Sequence, residues 1–214
     1  GQAGGAPSDL GQPPNAQVRM ERGGQAPGGQ GGAPGASDSN CLIQINGGKV
    51  VLDSQGDGVD SNGNVEITGG TLLVNGPSSD GDGAFDYDGE ATISGGTVLM
   101  AGAVGMAQSF TSGMQASALV QASGSAGSVI EATDADSNVI AMLTATKAFG
   151  CVLVSGAGVS DGDTITVSVD GAATMATASM TGTSGIPTGG PGGMGGMGGG
   201  SATGNRPEGQ GGPA

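Results

Sequence analysis

ITGGTLLV, residues 67–74, decides how this chain folds. It joins an isoleucine, a small polar residue and two glycines to an aliphatic run. The same order occurs upstream as INGGKVVL from Ile45 and downstream as ISGGTVLM from Ile93. The copies are offset by 22 and 26 residues, so each unit has the length of one solenoid coil. Stacked coils would pair equivalent short strands into parallel sheets about 4.8 Å apart. The glycine pairs would turn the chain between faces, where a Cβ is strained at positive φ. A β-sandwich of hairpins is the competing reading, because Asn62-Gly63 and Asn75-Gly76 also suit hairpin turns. Repetition at a fixed period favours the solenoid, since a sandwich does not require it.

Composition points the same way. Of 214 residues, 49 are glycine, aromatics are 2 %, and there is no Trp or His. A core here rests on Val, Ile, Leu, Met and Ala and must be thin, which suits pleated β-structure better than packed helices. Phe110 and Phe149 are expected inside it.

The spacers between coils carry the chemistry. SQGDGVDSNGN (residues 54–64) and SDGDGAFDYDGE (residues 79–90) align as Asp57 with Asp82, Asp60 with Asp86 and Asn62 with Asp88, with one inserted residue before Asp86. In stacked coils these oxygen-bearing side chains would lie about one strand spacing apart. Like charges that close disfavour each other's ionisation. A Ca²⁺ ion, which takes six to eight oxygen ligands, would relieve them. The candidate metal ligands are therefore Asp57, Asp60, Asn62, Asp82, Asp86 and Asp88. The plain alternative is a set of solvated turns whose Asp and Asn side chains bond backbone. Tyr87, one residue beyond Asp86, could stack on a sugar ring or pack on the scaffold.

Formal net charge is −14, nineteen acids against five bases. Binding to a polyanion needs Lys and Arg to release counterions, so nucleic acid and an anionic membrane surface are disfavoured. No apolar run of about twenty residues could span a bilayer. With no His, there is no Ser/His pair and no His-containing zinc set, and no phosphate-binding loop occurs. A lyase-type reaction would need a basic side chain as proton acceptor. Lys49 could serve, but it reads as a solvent-facing strand lysine. Carboxylate pairs for glycoside hydrolysis exist in number, yet their setting among glycines suits a metal better. Cys41 and Cys151 could pair in an oxidising compartment or stand as two small buried thiols.

The expected organisation has four parts. Residues 1–39, rich in Gly, Pro and Gln, are a disordered linker or inserted loop. Residues 40–115 are the coils. Residues 116–172 lose the repeat and read as an antiparallel β cap that closes the open end of the solenoid. Residues 173–214 are a disordered Gly/Met-rich tail. A chain that starts at Gly1 suggests an excerpted or processed piece.

The Ile-x-Gly-Gly repeats, the SDGDGAFDYDG spacer and the trailing segment from ASALVQAS to DGDTITVSVDG together resemble a bacterial group. It is the carbohydrate-binding-domain-containing proteins of the clostridial cellulose- and polygalacturonate-binding surface type. The resemblance spans about residues 40–172. It implies a right-handed parallel β-helix akin to polysaccharide lyases, calcium among Asp-rich turns, and binding of plant cell-wall polysaccharide such as polygalacturonate. It also implies an extracellular or cell-surface location. The leading expectation is non-catalytic binding. The alternatives are a structural or adhesive surface spacer and a pectate-lyase-like enzyme.

Overall fold

Each Ile-x-Gly-Gly unit ends one strand and starts the next in the computed structural model, which describes residues 17–21, 38 and 40–182. Strand β1 (Gln17–Glu21) precedes the first coil, made of β2 (Leu42–Gly47), β3 (Lys49–Asp53) and β4 (Val59–Ser61). The second coil is β5 (Asn64–Ile67), β6 (Thr71–Asn75) and β7 (Phe85–Tyr87). The third holds β8 (Ala91–Ile93) and β9 (Thr97–Gly102), and β10 (Ser112–Gly113) begins the next turn. Strands β2, β5, β8 and β10 run parallel in one sheet, β3, β6 and β9 in a second, and β4 and β7 in a third. The fold is a parallel β-solenoid of about three turns.

Register explains the stability of the stack. Ile45 opposes Ile67, and Ile67 opposes Ile93. All three are buried, and burial of one such side chain stabilises by about 1.5–3 kcal/mol. Leu72, Val74, Val98, Met100, Phe85 and Phe110 fill the same interior.

The two glycines of each pair are needed for different reasons. The second, at Gly48, Gly70 and Gly96, has φ of 75°, 91° and 93°, a region that disfavours a side chain. The first faces the coil beneath. A Cβ on Gly95 would lie 2.5 Å from the Thr68 carbonyl oxygen, and one on Gly69 would lie 2.9 Å from that of Asn46.

Beyond the coils the chain reverses direction. Strands β11 (Ser117–Gly124), β12 (Val129–Thr133), β13 (Val139–Thr144), β14 (Phe149–Ser155), β15 (Thr164–Val169) and β16 (Ala172–Thr177) complete the strands of the described residues. Strand β14 adds antiparallel to β9, and β11 to β14. The second sheet thus becomes β11-β14-β9-β6-β3. The remaining strands form a separate sheet, β13-β12-β15-β16. Its Ile130, Ala132, Leu143, Ile165 and Val167 pack with Leu99, Ala101, Val152 and Val154 of the second sheet. The 116–172 segment is therefore more than an end cap. It terminates one sheet edge and covers the outer face of that same sheet, because β9 and β14 are apolar on both faces.

Two expected boundaries change. Within the stretch read as disordered, Gln17–Glu21 pairs antiparallel with β2, whose edge offers unpaired backbone groups to any extended segment. The rest of 1–39, apart from Asp38, lies outside the described residues. The first residues of the tail expected from 173 are paired in the fold. The Asp170-Gly171 turn returns the chain as β16, and Ser179 then bridges to Ser117. Residues 183–214 lie outside the described residues. Both cysteines are free, and Cys151 is buried with its thiol pushed up to about 11, chiefly by desolvation. Phe110 and Phe149 are core residues, as expected. Among the described residues, no helix is long and apolar enough to cross a membrane.

Candidate functional site

The third sheet is short, and it carries the acidic ladder. In the parallel pairing of β4 with β7, Val59 opposes Phe85, Asp60 opposes Asp86 and Ser61 opposes Tyr87. Alternation sends Val59 and Phe85 into the core and turns Asp60 and Asp86 the other way. Two carboxylates are thereby held one above the other. Asp60 is held above the ordinary carboxylate range, first by desolvation and then by the charges of Asp57 and Asp88. Asp86 is raised by burial and then by Asp57 and Asp60, with a smaller push from Asp88. The Tyr87 backbone N–H opposes that shift.

The six expected ligands divide. Asp57, Asp60, Asp86 and Asp88 form one electrostatic group. Asn62 is exposed on the same side, level with Asp88, whose N–H donates to the Ser61 carbonyl. Asp82 lies one residue ahead of the register position of Asp57. The expected match of Asp57 with Asp82 is off by one residue. The N–H groups of Gly58 and Val59 donate to the carbonyls of Gly83 and Ala84. Asp57 is thus level with Gly83, and its Oδ1 accepts the Gly83 N–H at 2.7 Å. Asp80 accepts Gly105 N–H in the same way, at 3.0 Å. These two acids fasten the next coil's backbone. Among the described residues, no three His, Cys, Asp or Glu side chains converge on a ready-made metal cage.

Gln108 is the residue that repeat spacing did not reveal. Its Nε2 donates to Asp86 Oδ1 at 2.8 Å, 22 residues away. It continues the ladder as a neutral rung where the third coil has lost its acids. The signal was available in the 22-residue period, but AVGMAQSF resembles neither spacer.

Tyr87 is a post between coils. Its ring lies 5.0 Å from Phe85, tilted by 55°, and its hydroxyl donates to the Ser109 carbonyl. Burial and the Asp86 charge push its hydroxyl up to about 12. The packing alternative describes this residue better than a sugar platform does.

No protein-family model, curated protein or solved structure matches this sequence. The resemblance to polysaccharide-binding surface proteins therefore rests on the motifs alone.

A second polar surface lies on the outside of the first sheet. Gln44 Nε2 donates to Glu66 Oε2 at 2.9 Å, across one coil. Thr68 Oγ1 donates to Asn46 Oδ1 at 2.8 Å, and Asn46 Nδ2 donates to Gln44 Oε1 at 3.1 Å. Amide and hydroxyl groups in rows one strand apart suit hydroxyl-rich ligands. Lys49 stands exposed on the second sheet, away from the β4–β7 ladder. Lys147 is tied to Asp53.

Proposed function

We propose that this chain is a non-catalytic module that binds acidic plant cell-wall polysaccharide at a bacterial cell surface, with calcium held at the Asp60–Asp86 ladder. The observation that carries the reading is the direct stacking of Asp60 on Asp86. A cation between them would remove their repulsion and take further oxygens from Asp57, Asp88, backbone carbonyls and water. The same ion could bridge to galacturonate carboxylates, which is how a chain of charge −14 tolerates an acidic ligand. The outer row of Gln44, Asn46, Glu66 and Thr68 offers hydrogen bonds to sugar hydroxyls.

A spacer role is favoured by a different observation. Asp57 and Asp80 each bond the backbone of the next coil, as acids of a purely structural solenoid would. Retention on immobilised polygalacturonate separates the two. Binding in calcium that is lost in EGTA, and lost in the Asp60→Asn/Asp86→Asn chain, supports the module. Tyr87→Phe should bind like the parent chain. No retention with calcium present leaves the spacer. A rise in absorbance at 235 nm on pectate would instead mark an unsaturated product and a lyase.

A further inference from the structure

We propose that two copies of this chain associate edge to edge through β16. This strand ends the β13-β12-β15-β16 sheet, and among the described residues only β15 pairs with it. Its outer face is open, and its inner face is only partly covered, with Ala176 packed against the core. Five of its six residues are exposed, Met175 at 65 %, and Ala176 is half-buried. This strand of Ala, Thr and Met is held by its hydrogen bonds to β15, by Ala176 against the core and, just past its end, by the Ser179–Ser117 bridge. Natural edge strands are usually blunted by lysine, proline or a bulge. AATMAT has no charge and no proline, and its register with β15 is unbroken.

The backbone shows what the edge can accept. The turn at Asp170 (φ 49°) and Gly171 (φ 88°) has two left-handed residues, the geometry of a two-residue hairpin closed by a hydrogen-bonded pair. That pair is Val169 with Ala172. By antiparallel alternation, Ala172, Thr174 and Ala176 direct their backbone groups to β15. Ala173, Met175 and Thr177 direct theirs outward. A second copy set antiparallel about a two-fold axis at Met175 pairs Met175 with its counterpart and Ala173 with Thr177 of the other copy. Each pairing joins residues of the same face, so the sheet continues across the axis.

Charge selects a second copy as the occupant. Each copy carries −14, so it can approach its twin only across a neutral flank. The sequence has no charged residue from Ala91 to Ile130 or from Gly171 to Gly182. Those stretches supply β11 and β16, the neighbouring edges of the two layers on this side. The nearest acids, Asp170 in the turn and Asp161 and Asp163 beyond the far end, engage the N–H groups of Val129, Met180 and Ser160. A basic partner would be drawn to the Asp60–Asp86 side instead. Five paired residues a side, Ala173 to Thr177, is small beside the roughly 800 Å² per partner of a standard interface, so the dimer should dissociate on dilution.

Sedimentation velocity of the full chain over a dilution series tests this. The parent chain should shift from monomer to dimer with concentration. Met175→Lys sets like charges across the axis and should weaken association about tenfold or more. Val139→Lys, at a position 54 % exposed on the opposite edge strand β13, should still dimerise. A chain that is monomeric throughout, a Met175→Lys chain that associates like the parent, or equal loss in both variants would overturn the proposal. If Met175→Lys unfolds, Met175→Cys in a Cys41→Ser background should give a disulfide-linked dimer on mild oxidation. Absence of that species would equally overturn it.

Discussion

Asp60 and Asp86 stand directly opposite each other, one coil apart, in the parallel pairing of β4 and β7. Their repulsion after solvent screening is on the order of 1 kcal/mol. Both carboxyls are raised in the folded chain. A raised acid stabilises the fold fully below its unfolded value, and that stability is lost as pH rises through the folded value. Asp60→Asn/Asp86→Asn should therefore melt about 2–4 °C above the parent at pH 7. The gap should shrink as pH falls through the raised values toward the ordinary carboxylate range. Calcium at a hundredfold excess over its dissociation constant should stabilise the parent by about 2.7 kcal/mol and leave the double variant unmoved. Calorimetry at pH 4 to 7, with and without calcium, reads all of this. Equal melting curves for both chains would remove the ladder as a site of strain.

The repeat predicts a gradient of tolerance along equivalent glycines. Gly47, Gly69 and Gly95 hold the same place in successive units, but only the later two have a carbonyl close beneath. Gly47 has nothing within 4 Å of a built Cβ among the described residues. Gly47→Ala should shift unfolding by less than about 0.5 kcal/mol. Gly95→Ala should cost about 1–3 kcal/mol, with Gly69→Ala between them. Urea denaturation of the three variants checks the order. Equal costs would show that the stacked carbonyls are not what demands glycine.

Besides the β9–β14 pairing, one buried amide ties the antiparallel unit to the second coil. Asn75 Oδ1 accepts the Thr146 N–H at 3.1 Å, and its Nδ2 faces the Thr144 carbonyl at 3.4 Å. Beside it Lys147 joins Asp53 and donates to the Ser54 carbonyl at 3.0 Å. Asn75→Ala should cost about 1–3 kcal/mol, because it removes two part-buried hydrogen bonds to the 144–146 segment. Lys147→Ala should cost less, since Asp53 is half exposed and its ion pair is screened. Hydrogen exchange should show faster opening of residues 144–147 in the Asn75 variant. Unchanged protection there would mean that the β9–β14 pairing and apolar packing hold the two units together without the amide.

The chain's own residue pattern determined the coils. Ile-x-Gly-Gly at offsets near one coil length leaves few ways to bury its isoleucines, and stacking in register is the one the structure adopts. It also determined that Asp60 faces Asp86, because both follow a buried residue at the same place in the repeat. Other features depend on tertiary structure. Asp57 bonds Gly83 rather than matching Asp82, since hydrogen-bond register between coils outweighs similarity of Asp-Gly pairs. Gln108 joins the ladder through a loop that has no repeat to mark it. The later strands extend and cover the second sheet because β9 and β14 are apolar on both faces. An apolar run can be read from sequence, but which neighbour covers each of its faces is settled only by long-range packing.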